Sequence, residues 1–181
     1  MKSLKHSVTL YTAAYNGYWE KFGETWTKYV KQLDPYPTEI IVVSDKPIDT
    51  EFKVIIETNL HIGSFRNAAI RAATCDWVVP ADIDDEPYIN YIDDLDFDYD
   101  IIAYTLIDSR GRVYGGKKKT WDKFLDSGIR NAVVGTSAVK RSMLINHPYR
   151  QIGWEDWALW LDLKKAGACL LYTSPSPRDQ R

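Results

Sequence analysis

Residues 39–44 constrain the fold most, because Glu39 and Ser44 enclose Ile40, Ile41, Val42 and Val43 with no polar break. A strand with one wet face alternates apolar and polar side chains, so an unbroken run of this kind predicts a strand buried on both faces. The segments around it fit a sheet sandwiched between helices. Residues 7–14 are rich in Val, Thr, Leu and Tyr, which suits a first strand. From Tyr18 onward, Trp19, Phe22, Trp26, Tyr29, Val30 and Leu33 recur at helical spacing until Pro35 and Pro37 end the run. Residues 52–57 read as a third strand. Ser64 is expected to cap a short helix through Ala73, with Phe65, Ala69 and Ala72 inward. Residues 77–80 form a brief buried strand that runs into Asp82. Strand, helix, strand, strand, helix, strand is an α/β order with a mostly parallel sheet. Further on, residues 101–107 and 112–114 flank Ser109-Arg110-Gly111 as a hairpin. Residues 120–127 and 155–166 read as helices, the second closed by Gly167.

The chain has 181 residues, enough for one domain with a substantial core. Its 23 basic and 25 acidic residues leave a net charge of −2, which excludes the chain-wide basic footprint of nucleic-acid binders. Cys75 and Cys169 make no disulfide framework and have no metal-ligand spacing, so a reducing compartment and a cytoplasmic location are expected. No apolar run approaches the roughly 18 residues of a membrane helix, and no transmembrane segment is expected. The last ten residues, Tyr172 to Arg181, contain two prolines and nothing apolar after Tyr172. They resemble the translated adapter read-through that ends some metagenomic gene fragments. The expected organisation is a domain over residues 1–168, incomplete at its C-terminus, and a disordered or artefactual tail over residues 169–181.

Ligands of open parallel sheets sit beyond the carboxyl ends of the strands. That rule puts Tyr15, Asn16 and Gly17, then Asp45, then Asp82, Asp84 and Asp85 along one edge. Carboxylates at alternate positions after a strand can converge on a hard divalent cation. The competing account is a solvated acidic loop, since Asp93, Asp94, Asp96, Asp98 and Asp100 follow. A calcium-binding EF-hand loop fails, because its sixth and twelfth positions, counted from Asp82, hold Pro87 and Asp93. A strand followed by Asp82-Ile83-Asp84 also suits an aspartate-nucleophile phosphatase, although Glu86 stands where that class places Thr or Val.

A second constellation is Gly153-Trp154-Glu155-Asp156-Trp157. It puts two carboxylates at a helix start, where the dipole favours negative charge by about 0.3–1 kcal/mol. Such a carboxylate can act as a general base; helix capping is the bland alternative. A third is Gly63-Ser64-Phe65-Arg66-Asn67, a loop opening a helix whose amides and arginine suit an anion, or else a capped helix with an exposed arginine. Lys117, Lys118 and Lys119 could attract an acidic acceptor, but read better as a solvated loop.

Taken in order, Tyr15-Asn16, Ser44-Asp45, Arg66-Asn67-Ala68-Ala69, Asp82-Ile83-Asp84-Asp85 and Glu155-Asp156-Trp157 resemble glycosyltransferase family 2, over about residues 7–167. The resemblance implies a GT-A fold: a Rossmann-like, mostly parallel sheet flanked by helices in a single domain. It also implies roles. Asp45 would recognise the nucleobase, Tyr15 and Asn16 line base and ribose, and Arg66 assist nucleotide binding. Asp82 would meet the ribose, Asp84 hold Mn2+ or Mg2+ against the diphosphate, and Asp85 lie near the sugar. Asp156 would be the base, with Glu155 orienting it or the acceptor. The sequence departs from the family in carrying Asp45-Lys46-Pro47 where a second aspartate, glycine and serine are usual. His6, His61 and His147 do not occupy the place of the family's later metal-binding histidine. The implied reaction is metal-dependent, inverting transfer from a nucleotide-sugar donor, UDP-linked, to a hydroxyl of a glycan, lipid-linked or other acceptor. The alternatives are a hydrolase using Asp82 as nucleophile and an inactive nucleotide-sugar-binding module.

Overall fold

The computed structural model describes residues 4–87, 92–93, 95, 98–107, 109–114 and 133–172. The three lysines at 117–119, the helix expected over 120–127, Asp94, Asp96 and the tail from residue 173 lie outside the described residues. The elements are β1 (Val8–Ala14), α1 (Tyr18–Val30), β2 (Glu39–Ser44), β3 (Lys53–Ile56), α2 (Ile62–Ala72) and β4 (Trp77–Pro80). They continue with β5 (Ile101–Ala103), β6 (Leu106–Ile107), β7 (Val113–Tyr114), β8 (Ala138–Lys140), α3 (Arg141–Asn146), α4 (Glu155–Lys165) and β9 (Leu170–Tyr172). Among the described residues, seven strands form one sheet in the order β3-β2-β1-β4-β8-β5-β9, and β6 and β7 pair as a separate hairpin.

β1, β2, β3 and β4 are mutually parallel, with β8 antiparallel to both β4 and β5. The apolar run in β2 is explained by its two faces. Ile40 and Val42 join Val8, Leu10, Trp26 and Val30 beneath α1, whereas Ile41 and Val43 join Tyr11, Phe65, Ala69 and Trp160 beneath α2 and α4. Each fully buried side chain of this size contributes about 1.5–3 kcal/mol, so the sheet centre is where the domain gains most of its stability. No described helix is long and apolar enough to cross a membrane.

Two details differ from the sequence reading. Helix α2 begins at Ile62 and its cap is His61, whose Nδ1 accepts the Gly63 amide at 3.1 Å. Ser64 is buried inside the first turn instead. A turn at residues 59–61, closed by the His61 amide on the Asn59 carbonyl, precedes a helix that starts three residues early. In addition, β9 pairs in parallel with β5 through Leu170, Leu171 and Tyr172, beyond the expected domain end at Ala168.

β2 and β3 step outward on one side of β1, while β4 lies on its other side. This reversal of strand order leaves a crevice beyond the carboxyl end of β1, where such sheets take ligands. Because β8 runs antiparallel to β4, the residues preceding it, Gly135 among them, arrive at that same edge.

Candidate active site

Four segments meet at this edge. After β1, Asn16 (φ 54°) and Gly17 (φ 81°) adopt left-handed conformations that turn the chain into α1. Asn and Gly tolerate this region better than other residues. The turn aims the Asn16 amide at Asp45, whose Oδ2 accepts it at 3.1 Å. The other oxygen, Asp45 Oδ1, is enclosed and has no hydrogen-bond partner. An enclosed carboxylate oxygen without a donor is costly unless something supplies one. Tyr15, the residue before Asn16, has its ring 4.7 Å from that of Phe65.

The acidic turn after β4 starts from a fixed point. Ala81 donates its amide to the Tyr11 carbonyl at 2.8 Å, and its own carbonyl accepts Trp26 Nε1 at 3.1 Å. Asp82 follows, and the Asp85 amide closes the turn onto the Asp82 carbonyl at 3.0 Å. Asp84 is exposed, whereas Asp82 and Asp85 are half-buried. Burial, reinforced by the charges of Asp82 and Asp84, raises the Asp85 carboxyl to about 6.

Arg66 joins this turn to the start of α4. It is buried, with Nη2 3.8 Å from Asp82 Oδ1 and Nη1 3.6 Å from Glu155 Oε1. Burial alone would lower its pKa, but Tyr149, Asp82, Tyr11 and Glu155 together hold it well above the ordinary value. Its guanidinium carbon lies 5.2 Å from the centre of the Tyr149 ring. The neighbouring Asp156 uses Oδ1 to accept the Trp157 amide at 2.7 Å. A Cβ added at Gly135 would stand 3.3 Å from Arg66 Nη1 and 3.7 Å from Asp156 Oδ2, which places guanidinium and carboxylate around one glycine.

The structure therefore brings Asp82, Arg66, Glu155 and Asp156 together, with Asp84 and Asp85 on the turn that starts at Asp82. Tyr15, Asn16 and Asp45 form the other end of the same edge. Arg66 is not the exposed arginine of a capped helix, the bland alternative for the third constellation, because it lies buried within α2. Sequence reasoning missed Gly135, Tyr11 and Tyr149. None belongs to a local motif: Tyr11 comes from β1, Gly135 from the segment before β8 and Tyr149 from the loop before α4. A cavity of about 390 Å³ beside His6 and Pro35 lies away from these carboxylates.

Among the described residues, no group of three or more His, Cys, Asp or Glu side chains is placed to hold a metal ion by itself. The donor set at the acidic turn is nonetheless all oxygen, with Asp84 open to solvent. That suits a hard cation held by one or two carboxylates and completed by substrate phosphates.

This fold, with its crevice at the strand-order reversal and carboxylates along the carboxyl edge, defines a GT-A domain. The chain belongs to glycosyl transferase family 2, whose sequence model matches residues 9–149. Glu155 and Asp156 follow that stretch, and rest on the geometry above. No curated protein sequence matches the chain. Among solved structures, the 1–349 portion of S. aureus TarS is 21% identical with a TM-score of 0.68, covering 94% of this chain and 58% of that one. The same portion in complex with UDP is 20% identical with a TM-score of 0.70, covering 96% of this chain and 62% of that one. Glucosyl-3-phosphoglycerate synthase from Mycobacterium tuberculosis, in complex with Mn2+, UDP and glucosyl-3-phosphoglycerate, is 14% identical with a TM-score of 0.65, covering 97% and 75% respectively. These likenesses establish the fold. The chain spans less than two thirds of the TarS chains.

Proposed function

We propose that this domain transfers a sugar from a UDP-linked donor to an acceptor hydroxyl, with inversion and with help from a divalent cation. One observation carries the reading. The acidic turn after β4 and the carboxylates opening α4, distant in sequence, face one buried guanidinium at 3.8 and 3.6 Å. This arrangement supports a donor diphosphate at the acidic turn and a proton acceptor at the start of α4, with the reacting carbon between them, as an in-line displacement requires.

In this reading Asp45 Oδ1, enclosed and unpartnered, accepts an N–H from the nucleobase. Tyr15 and Asn16 line base and ribose, and Asp82 meets the ribose. Asp84 would hold Mn2+ or Mg2+, which supplies charge neutralisation to the departing diphosphate. The M. tuberculosis synthase structure containing Mn2+ and UDP supports that choice of cation and nucleotide. The acceptor hydroxyl gives its proton to Asp156 as its oxygen bonds the anomeric carbon from the face opposite the diphosphate. The bond from that carbon to the phosphate oxygen breaks, its electrons leave with UDP, and the anomeric configuration inverts. Glu155, tied to Arg66, orients Asp156 or the acceptor, and Asp85 faces the sugar. Arg66 secures the nucleotide side indirectly, by fixing Asp82. We place the reaction in the cytoplasm, a location that the unpaired Cys75 and Cys169 suit.

The test is UDP release from UDP-sugars, together with calorimetric UDP binding with and without Mn2+. Asp84→Ala is expected to abolish the Mn2+ dependence of both. Asp156→Asn is expected to keep UDP binding and lose turnover. Parent-level turnover in Asp156→Asn overturns the base assignment, and tight UDP binding with no turnover by the parent chain establishes a binding module instead.

A further inference from the structure

The segment Gly63-Ser64-Phe65-Arg66-Asn67 has a role that neither anion binding nor capping accounts for. Gly63, Arg66 and Asn67 stand at i, i+3 and i+4 on α2, so they share one helix face. That face is occupied by the loop that leads into α4. Asn67 Nδ2 donates to the Tyr149 carbonyl at 2.8 Å, and Asn67 Oδ1 accepts the Tyr149 amide at 2.9 Å. One side-chain amide thus satisfies both backbone groups of a buried residue, as a neighbouring strand would. One turn earlier, a Cβ on Gly63 would stand 2.6 Å from the Arg150 carbonyl oxygen, so only glycine admits the loop there. Asn59 Nδ2 reaches Gln151 Oε1 at 3.1 Å. From the far side of the loop, Arg150 Nη2 holds both carboxylate oxygens of Asp162 on α4 at 2.7 Å.

We propose that this face of α2 is a brace that sets where Glu155 and Asp156 stand relative to the acidic turn, with Gly63 and Asn67 as positioning residues. Arg66 spans the two carboxylate groups directly, and Asn67 and Gly63 fix the backbone that carries one of them. Neither hydrogen-bonds to Tyr15, Asn16, Asp45 or Asp84. Their loss therefore acts on transfer and leaves nucleotide binding in place. The inference rests on the reading of Asp156 as proton acceptor.

The experiment uses the full chain with UDP and UDP-glucose as probes. Asn67→Ala is expected to lower UDP release from UDP-glucose about ten- to hundredfold, the effect of misplacing a reacting group by about an ångström. Its UDP affinity in Mn2+ should stay within about twofold of the parent, and amide exchange should accelerate over residues 149–158 while β1, β2 and β4 keep their protection. Gly63→Ala retains a good helix former and is expected to show the same split, which guards against a folding failure of Asn67→Ala. Parent-rate UDP release by both variants despite faster exchange in the loop overturns the brace, as does a loss of UDP affinity equal to the loss of turnover. With Asp156→Asn assayed alongside, the two readings separate. Loss in Asn67→Ala with parent turnover in Asp156→Asn removes the base assignment, and the reverse pattern removes the brace.

Discussion

Replacing Arg66 by Met tests the central arrangement, because Met keeps much of the apolar stem and deletes only the charged fork. Glu155, 12% exposed and 3.6 Å from Nη1, loses its buried counter-charge. At about 4 Å and an effective dielectric of about 20 that attraction is about 4 kcal/mol before desolvation is counted. Asp82, 37% exposed and 3.8 Å away, is reached by water, so its share is at most about 1 kcal/mol. Removing one partner of a buried pair costs about 3–5 kcal/mol, and separations longer than hydrogen bonds put this case at the low end, about 3 kcal/mol. For a chain of this size each kcal/mol moves Tm by about 2–4 °C, so Arg66→Met should melt about 6–12 °C below the parent at pH 7 by circular dichroism. Arg66→Lys keeps the charge but lacks a planar fork able to face two carboxylates, so it should recover part of the Tm and little of the turnover. A Met variant within about 1 °C of the parent at pH 7 refutes the reasoning, because Glu155 would then not depend on the guanidinium.

Three further outcomes are expected. Asp85, raised to about 6 by burial and by Asp82 and Asp84, holds a proton in the fold that the unfolded chain releases near pH 4. It therefore costs nothing below about pH 4 and subtracts stability as pH rises through 6, so Asp85→Asn should stabilise the metal-free protein by about 1 kcal/mol at pH 7, after discounting for solvent, and leave it unchanged at pH 4 in urea unfolding. Gly135→Val adds methyl groups beyond a Cβ already 3.3 Å from Arg66 and 3.7 Å from Asp156, and should lower UDP release about tenfold or more with UDP affinity retained. Trp26→Phe deletes the donor to the Ala81 carbonyl just before Asp82; urea unfolding should show a loss of about 1–3 kcal/mol, and calorimetry a weaker affinity for UDP with Mn2+.

The sequence made legible whatever depends on one segment at a time. The unbroken Ile40–Val43 run announced a strand covered on both faces, and α1 and α2 cover it. The aromatic spacing from Trp19 to Val30 announced α1, and Pro35 and Pro37 lie beyond its end. Carboxylates after β4 and at the start of α4 stood out as residue types in position. What stayed hidden depends on pairs of segments. Arg66 looked exposed because an arginine near a helix start is usually solvated, and only the convergence of Asp82 and Glu155 makes its burial affordable. Asn67 looked like an ordinary helix residue, since nothing in its neighbours reports that a loop some eighty positions later will hydrogen-bond to it. Gly135 gave no signal, because its importance is the space it leaves for Arg66 and Asp156. Ser64 misled in the opposite direction, as a good capping residue that a preceding histidine displaced.

The charge pattern explains why the domain keeps a cation where an apolar plug would be more stable. Buried ion pairs replaced by hydrophobic residues of similar size are often neutral or stabilising, so stability alone gives no reason for Arg66. Position gives one. Asp82 reaches the site from the end of β4 and Glu155 from the start of α4, elements far apart in the chain. Two carboxylates arriving independently would repel each other and drift toward solvent. A fixed guanidinium between them, stacked near Tyr149 and enclosed by α2, turns that repulsion into two attractions that share one atom group. The negative charge on Asp84 and Asp85 is left without a cation among the described residues, with Asp84 exposed and Asp85 half-buried. Arg66 thus balances Asp82 and Glu155, and under the proposed function Asp84 and Asp85 would be left to attract a divalent ion entering with the diphosphate. A second buried arginine at the acidic turn would satisfy those charges within the protein and remove the reason for a metal to bind.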